Sequence, residues 1–366
     1  MDNTSNQAQA ALSRADEDTP VALAEAQHRA EAALSAGDWS GAAALLRQAL
    51  DEHPDWGEGL AHMGLCLAHQ GRLYEAQSYL TQAVRLMPDD VDVYYNLGAV
   101  YQQLGEHDKA LSCYKEVVLA CPEDDAAYSH MAESALRLGR VKDATVLYAE
   151  ALRLHPDDLA NAAALAQIYL QQGDLHHAGG VLRGALVHHP DDTSLNLGMG
   201  LVLELQDRHR EALPYYRSVV LADDQHEEGY YHLGLCARVS GLLQESEAFL
   251  SRAIKLRPDY AEAWHELGEL HRERGDLELA IAMFEEALGQ YRTIEERRKG
   301  WGETPDPGPK AHTLNALARC YREAGDAPRA RTLWEESLSL VPDQPETAQA
   351  LQAATPQYRR TSLTIA

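Results

Sequence analysis

Histidines stand in one register of this chain: His28, His62 and His130 are separated by multiples of 34 residues, Asn96 fills a slot between them, and His232 falls in the same register further on. A row of imidazole and amide groups at such an interval can hydrogen-bond a peptide. A shared metal is a different matter. Its ligands must come within about 2 Å of one ion, whereas packed helices stand roughly 8–10 Å apart, so successive histidines do not converge. Solvated surface imidazoles are the plainer reading. The adjacent pairs His176 with His177 and His188 with His189 lack a cysteine or a convergent carboxylate, and no metal site is expected.

Other reactive groups fare no better. Cys66, Cys236 and Cys320 share a register in which other copies carry Val100, Ile168, Val202 and Leu270, so they read as packing residues. With Cys113 and Cys121 they make five cysteines, an odd number without C-x-x-C spacing, which indicates neither a disulfide framework nor a zinc site. Gly198-Met199-Gly200 opens like a dinucleotide loop, but no strand precedes it and no third glycine follows at the required spacing. No nucleophile, base and orienting group assemble from local motifs, and no phosphate-binding loop is present. The chain is expected to be no enzyme and to need no cofactor.

The interval itself shows what must carry these residues. Pro54, Pro88, Pro122, Pro156 and Pro190 recur every 34 residues, with Asp224 in the next slot and Pro258 after it. If the proline is position 32, small residues fall at position 20: Ala42, Ala76, Ala110, Ala144, Ala178, Ala212, Ser246 and Ala280. Glycine falls at position 15, from Gly37 to Gly275, with Asp207 in the sixth slot. Each glycine follows a run of helical apolar spacing and so marks a helix C-terminus. The repeat is helix A, a turn at glycine, helix B and a turn at proline. One such pair cannot bury its own apolar face, so neighbours must stack.

The third repeat reads Tyr94, Leu97, Gly98, Tyr101, Ala110, Tyr114, Pro122, and the eighth Trp264, Leu267, Gly268, Ala280, Phe284. This pattern resembles the tetratricopeptide signature. The resemblance implies an all-α fold, a right-handed α-solenoid of about nine helix-turn-helix units with a C-terminal capping helix. Residues 1–18 are expected to be disordered, 19–294 to form eight contiguous units, and 311–344 to form a ninth. An insertion spans 295–310, a capping helix 345–355 and a polar tail 356–366. Within the insertion Trp301 follows the basic run Arg297, Arg298, Lys299. A longer helix B and an exposed loop would accommodate the insertion, which is either a tolerated surface loop or a partner contact through Trp301.

Stepping about 100° per residue along helix A, positions 4, 7, 8 and 11 carry the signature, and 2, 5, 9, 12 and 13 face the other way, into the concave groove. Repeats one to four place mostly polar groups there, including Tyr95. Repeats six and seven place Leu197, Leu201, Leu205, Tyr231, Leu235 and Val239, alongside Arg238. Those leucines either pack between neighbouring A helices or form an apolar contact surface. Repeats eight and nine offer charges of both signs, among them Glu262, His265, Glu269, Arg272 and Asn315. The histidine register, position 6, lies at the groove edge. In the superhelical repeats of the O-linked N-acetylglucosamine transferases, which these units resemble, an asparagine series there clamps a peptide backbone. Only Asn96 matches; Ala164, Gly198, Glu266 and Ala316 break the series. The candidate groove contacts are therefore Tyr95, Asn96, His130, Leu197, Leu201, Leu205, Tyr231, Leu235, Arg238 and Arg272.

Lys plus Arg number 32 against 57 Asp plus Glu, a net charge of -25. That balance disfavours nucleic acid or an anionic membrane surface as partner. Part of the excess has a local use, since Asp90, Asp124, Asp158 and Asp192 recur in the turn before helix A, where a carboxylate caps the next helix. No stretch approaches the roughly 18 apolar residues of a membrane span, and the first twenty residues do not read as a signal peptide. A soluble, cytoplasmic interaction scaffold or adaptor is expected, binding a neutral or basic protein or peptide with an apolar segment. A self-assembling structural scaffold, and a substrate-recruiting subunit of a separate enzyme such as a glycosyltransferase, are the alternatives.

Overall fold

A computed structural model describes residues 23–299 and 304–354. All regular structure among them is helical. The chain divides into two compact halves, Met1–Gln172 and Gly173–Ala366. In the N-terminal half, the A helices are α1 (23–35), α3 (Gly57–His69), α5 (Val91–Gln103), α7 (Asp125–Arg137) and α9 (Leu159–Gln171). They alternate with the B helices α2 (Trp39–Glu52), α4 (Leu73–Leu86), α6 (His107–Ala120) and α8 (Val141–Leu154). The C-terminal half opens with α10 (Leu175–His188) and continues with the pairs α11 (Thr193–Leu205) and α12 (His209–Ala222), and α13 (Glu227–Val239) and α14 (Leu243–Leu256). The pairs α15 (Ala261–Arg274) and α16 (Leu277–Lys299), and α17 (Gly308–Glu323) and α18 (Ala327–Leu340), follow, and α19 (Pro345–Ala354) packs on α18.

The turns explain the boundaries. At the end of α3 the Gly71 amide bonds the Ala68 carbonyl and the Arg72 amide bonds the Leu67 carbonyl, a Schellman motif that requires a left-handed residue at its centre. Gly71 has φ 75°, and Asp207 takes the same role after α11 at φ 58°. Before α5, α7, α9 and α11 the side chains of Asp90, Asp124, Asp158 and Asp192 accept bonds from backbone amides of the first turn. The repeating aspartates are therefore N-caps.

Each helix pair closes on small residues. Ala76, Ala110, Ala144, Ala212, Ser246 and Ala280 are fully buried, which lets two helix axes approach. Ser246 Oγ donates to the Gly234 carbonyl at 2.7 Å across that contact. A large side chain at position 24 then fills the A–B interface: Tyr114, Tyr216, Phe284 and Trp334 are almost wholly buried. A Cβ added at Gly200 would stand 2.6 Å from the Tyr216 ring, so this position is glycine for want of room.

The segment 295–310 is helical at both ends. α16 runs on through Lys299 to 23 residues, and α17 opens at Gly308. Lys310 Nζ donates to both oxygens of Glu295 at 2.9–3.0 Å, tying the two helices together. The expectations for residues 1–18, for Trp301 and for the tail 356–366 lie outside the described residues. No helix among the described residues is long and apolar enough to cross a membrane.

Candidate protein-docking face

Positions 2, 5, 9, 12 and 13 of α11, α13, α15 and α17 share one face in the C-terminal half. On α11 and α13 that face is apolar and open to solvent. Leu197, Leu201, Tyr231 and Leu235 are half-buried, while Leu205 is 55% and Val239 49% exposed. The leucines thus do more than fill the seam between A helices. Tyr231 packs against Tyr260 with ring centroids 4.9 Å apart, and Arg257 lies over the Tyr260 ring at 3.3 Å.

Below this surface lies a polar network. Tyr216 donates its hydroxyl to Glu204 at 2.9 Å, and His232 Nδ1 lies 2.9 Å from the same carboxylate oxygen. The His232 ring stacks on Tyr216 at 5.1 Å and 13°, and its Nε2 lies 3.8 Å from Glu228. Burial alone would pull the imidazole down, but Glu204 and Glu228 outweigh it and push the His232 pKa up to about 9. Burial likewise opposes ionisation of Glu204, and the bonds from His232 and Tyr216 more than offset it, holding its carboxyl below the usual range. His232 and Glu204 are a buried ion pair at neutral pH. Cys236 Sγ lies 3.6 Å from Glu204, and burial raises its thiol pKa, so it stays protonated.

Arg238, whose side chain is 14% exposed, reaches from α13 to Glu266 at 2.7 Å and Glu273 at 2.5 Å on α15. Arg272 pairs with Glu269 at 2.6 Å. Both arginines, read from sequence as partner contacts, thus have carboxylate partners within the half. Of the charged end expected on α15 and α17, His265, Glu269 and Asn315 are buried, whereas Glu273, His312, Arg322 and Glu323 are exposed. His265 Nδ1 meets Thr313 Oγ1 at 3.0 Å, and burial together with the neighbouring His312 pulls its pKa down to about 4. The His265–Thr313 contact ties α15 to α17, and the apolar part of the face lies on α11 and α13.

In the N-terminal half a related cluster joins Tyr95 and His130. The Tyr114 and His130 rings stack at 5.3 Å and 10°, with Tyr95 edge-on to both at 5.5 Å. Tyr114 donates to Gln102 at 2.8 Å, and Gln102 donates to the His130 carbonyl at 3.0 Å. Here the acceptor is neutral, and burial pulls the His130 pKa down. Asn96 is half-buried on α5. One trio among the described residues, Asp125, His155 and Asp158, brings ligand atoms within 4.8 Å of one another. Asp158 caps α9 through the Asn161 amide, and His155 Nδ1 lies 3.4 Å from Asp125, so each of the three already has a contact within the half.

Sequence models described as tetratricopeptide repeat match residues 28–76, 58–121, 135–198 and 225–293, more than half of the chain between them. The chain belongs to the tetratricopeptide repeat family. Such repeats make a fold that serves in general as a non-catalytic protein-interaction scaffold. Mouse tetratricopeptide repeat protein 5 is 46% identical over 44 residues, which are 12% of this chain and 10% of the mouse protein's length. Among solved structures, PilW, a type IV pilus biogenesis factor, aligns over 62% of this chain and 98% of its own with 20% identity and TM-score 0.51. The Cut9–Hcn1 hetero-tetramer of APC/C aligns over 90% of this chain and 89% of its own at 14% identity and TM-score 0.48. YrrB, described as having an unusual peptide-binding site, aligns over 51% of this chain and 96% of its own at 21% and 0.46.

Numbered as tetratricopeptide positions, the clusters that sequence reasoning missed have a simple rule. The tyrosine at position 24 donates to position 12 of its own repeat and stacks on the position-6 histidine of the next. Tyr114, Gln102 and His130 obey it, as do Tyr216, Glu204 and His232. The position-6 histidine register was visible. Its meaning needed the tyrosine twelve positions after the acceptor, which is a second register to be read jointly with the first.

Proposed function

We propose that this tetratricopeptide protein is an interaction scaffold that docks a segment of a partner protein on the α11–α13 face, with apolar side chains over Leu197, Leu201 and Leu235 and against Tyr231. The carrying observation is the exposure of Leu205 and Val239 in line with half-buried leucines on a face whose Glu204 and Arg238 are already paired within the half. Exposed contiguous apolar surface is unfavourable in isolation and commonly marks a contact. Fixed polar groups beneath it keep the A helices in register, so a partner meets a pre-formed surface and less ordering opposes binding.

The test is a selection of random peptides of about twelve residues, displayed on phage, against the full chain. A Leu201→Asp, Leu235→Asp double variant serves as the comparison once circular dichroism confirms its helicity. Selected peptides are expected to bind the double variant at least about tenfold more weakly, the effect of losing roughly 1.4 kcal/mol. Peptides that bind both proteins equally would move the interface elsewhere.

A further inference from the structure

We propose that the docked segment carries a lysine or arginine two to four residues from its apolar anchor, and that this cation seats between Glu228 on α13 and Glu262 on α15. The proposal rests on the docking reading and adds the partner's chemistry. Its basis is an imbalance of charge beside the apolar stripe. Around Tyr231 and Tyr260 stand the cations His232, Arg238 and Arg257. His232 faces both Glu204 and Glu228, Arg238 faces both Glu266 and Glu273, and Arg257 pairs with Glu227 at 3.6 Å. Among the described residues Glu262 adds a carboxylate without an arginine or lysine partner. Five paired carboxylates and Glu262 thus outnumber the three cations.

The distribution of that surplus matters more than its sign. Glu204 and Glu266, the deeper partners, are 15% and 10% exposed at the side chain, whereas Glu228 is 53% exposed and only 3.8 Å from its histidine. The buried cations are satisfied from below, and the excess negative charge is left at the solvent side. Glu228 and Glu262 occupy the same position of successive A helices and both act on the hydroxyl of Tyr260, which burial chiefly holds above its ordinary range. A guanidinium already lies on the Tyr260 ring, so this corner is built to accept a flat cation in contact with aromatic and carboxylate groups.

Spacing sets the pattern a partner must have. Glu228 and Leu235 are seven residues apart on α13, about 10 Å along the helix axis. An extended chain advances about 3.3 Å per residue, and a lysine or arginine side chain spans the remainder. Two to four residues between anchor and cation follow.

The peptides selected on the full chain test this directly. Lysine or arginine should be enriched at that spacing, and changing it to glutamine should weaken binding to the wild type about fivefold at low salt, as expected for a partly exposed pair. The same change should have little effect on a Glu228→Gln, Glu262→Gln variant. Peptides that need Leu201 and Leu235 yet show no such cation, or lose affinity equally on both proteins, would overturn the charge proposal while leaving the docking reading intact. Peptides indifferent to Leu201→Asp would remove both. A wild-type chain whose dimer is lost in the Leu201→Asp variant would assign the face to a second copy and overturn the proposal as well.

Discussion

Two histidines in the same slot behave oppositely because their neighbouring acceptors differ. His232 faces the carboxylates of Glu204 and Glu228, whereas His130 has the amide of Gln102 in the Glu204 position. Tyr114 and His130 stack over Gln102, and Tyr216 and His232 stack over Glu204. Where the acceptor is an amide, burial pulls the imidazole down; where it is a carboxylate, the pKa reaches about 9. In a Glu204→Gln variant the His232 resonance followed by NMR should titrate near or below the ordinary value of about 6.5. A value still near 9 would assign the effect to Glu228. The consequence for stability has a definite sign. A folded-state pKa above the unfolded one contributes stability that is fully present below about pH 6.5 and is lost as pH rises through about 9. The difference between wild type and variant in urea midpoint should therefore shrink from pH 6.5 to 9.5, by on the order of 2–3 kcal/mol in free energy. The histidine register was plain in the sequence, but whether each imidazole is solvated, stacked or charged depends on contacts between repeats that no single register contains.

At the scale of elements the reading was most complete, because each boundary is made by local chemistry. Aspartate before helix A and glycine after it act within four residues of where they stand, and the described helices begin and end where those residues recur. Asp207 is the departure. It takes φ 58° at the end of α11 where Gly71, Gly105, Gly139 and Gly241 occur elsewhere. A side chain in that region costs about 1 kcal/mol, less for aspartate than for most residues. The Asp207 side chain is 98% exposed and 3.9 Å from His209, an exposed contact that contributes little. Asp207→Gly should therefore stabilise the chain, by about 0.5–1 kcal/mol in chemical denaturation, and Gly241→Ala should destabilise it by a similar amount. A loss of stability in Asp207→Gly would give the carboxylate a role that its exposure denies it. The sixteen surplus residues before the ninth repeat point to a longer helix B and a loop, and α16 is indeed 23 residues long, but nothing local in the sequence fixes where the added helical turns end.

For the molecule as a whole the relevant quantity is the net charge of -25. Its sign could be counted from the sequence, but not how it divides between matched and unmatched carboxylates. Many ion pairs join residues three apart on exposed helix surface, such as Arg72 with Glu75 and Arg208 with Glu211, and such pairs contribute about 0–1 kcal/mol each. The buried pairs of Glu204 and Arg238 feel salt only weakly. Repulsion, by contrast, acts between every turn that carries an aspartate pair. In the N-terminal half Asp89 and Asp90, Asp124 and Asp125, and Asp157 and Asp158 recur one repeat apart. That spacing, roughly 20 Å for two helices side by side, lies within the Debye length of about 30 Å at 0.01 M salt and outside that of about 8 Å at 0.15 M. Added salt should thus remove more repulsion than attraction. The thermal midpoint followed by circular dichroism should rise between about 10 and 150 mM sodium chloride, by roughly 2–4 °C for each kcal/mol of repulsion relieved. A midpoint that falls with salt would mean that the exposed pairs act as a network whose sum exceeds the repulsion, and the acidic excess would then stabilise the stack.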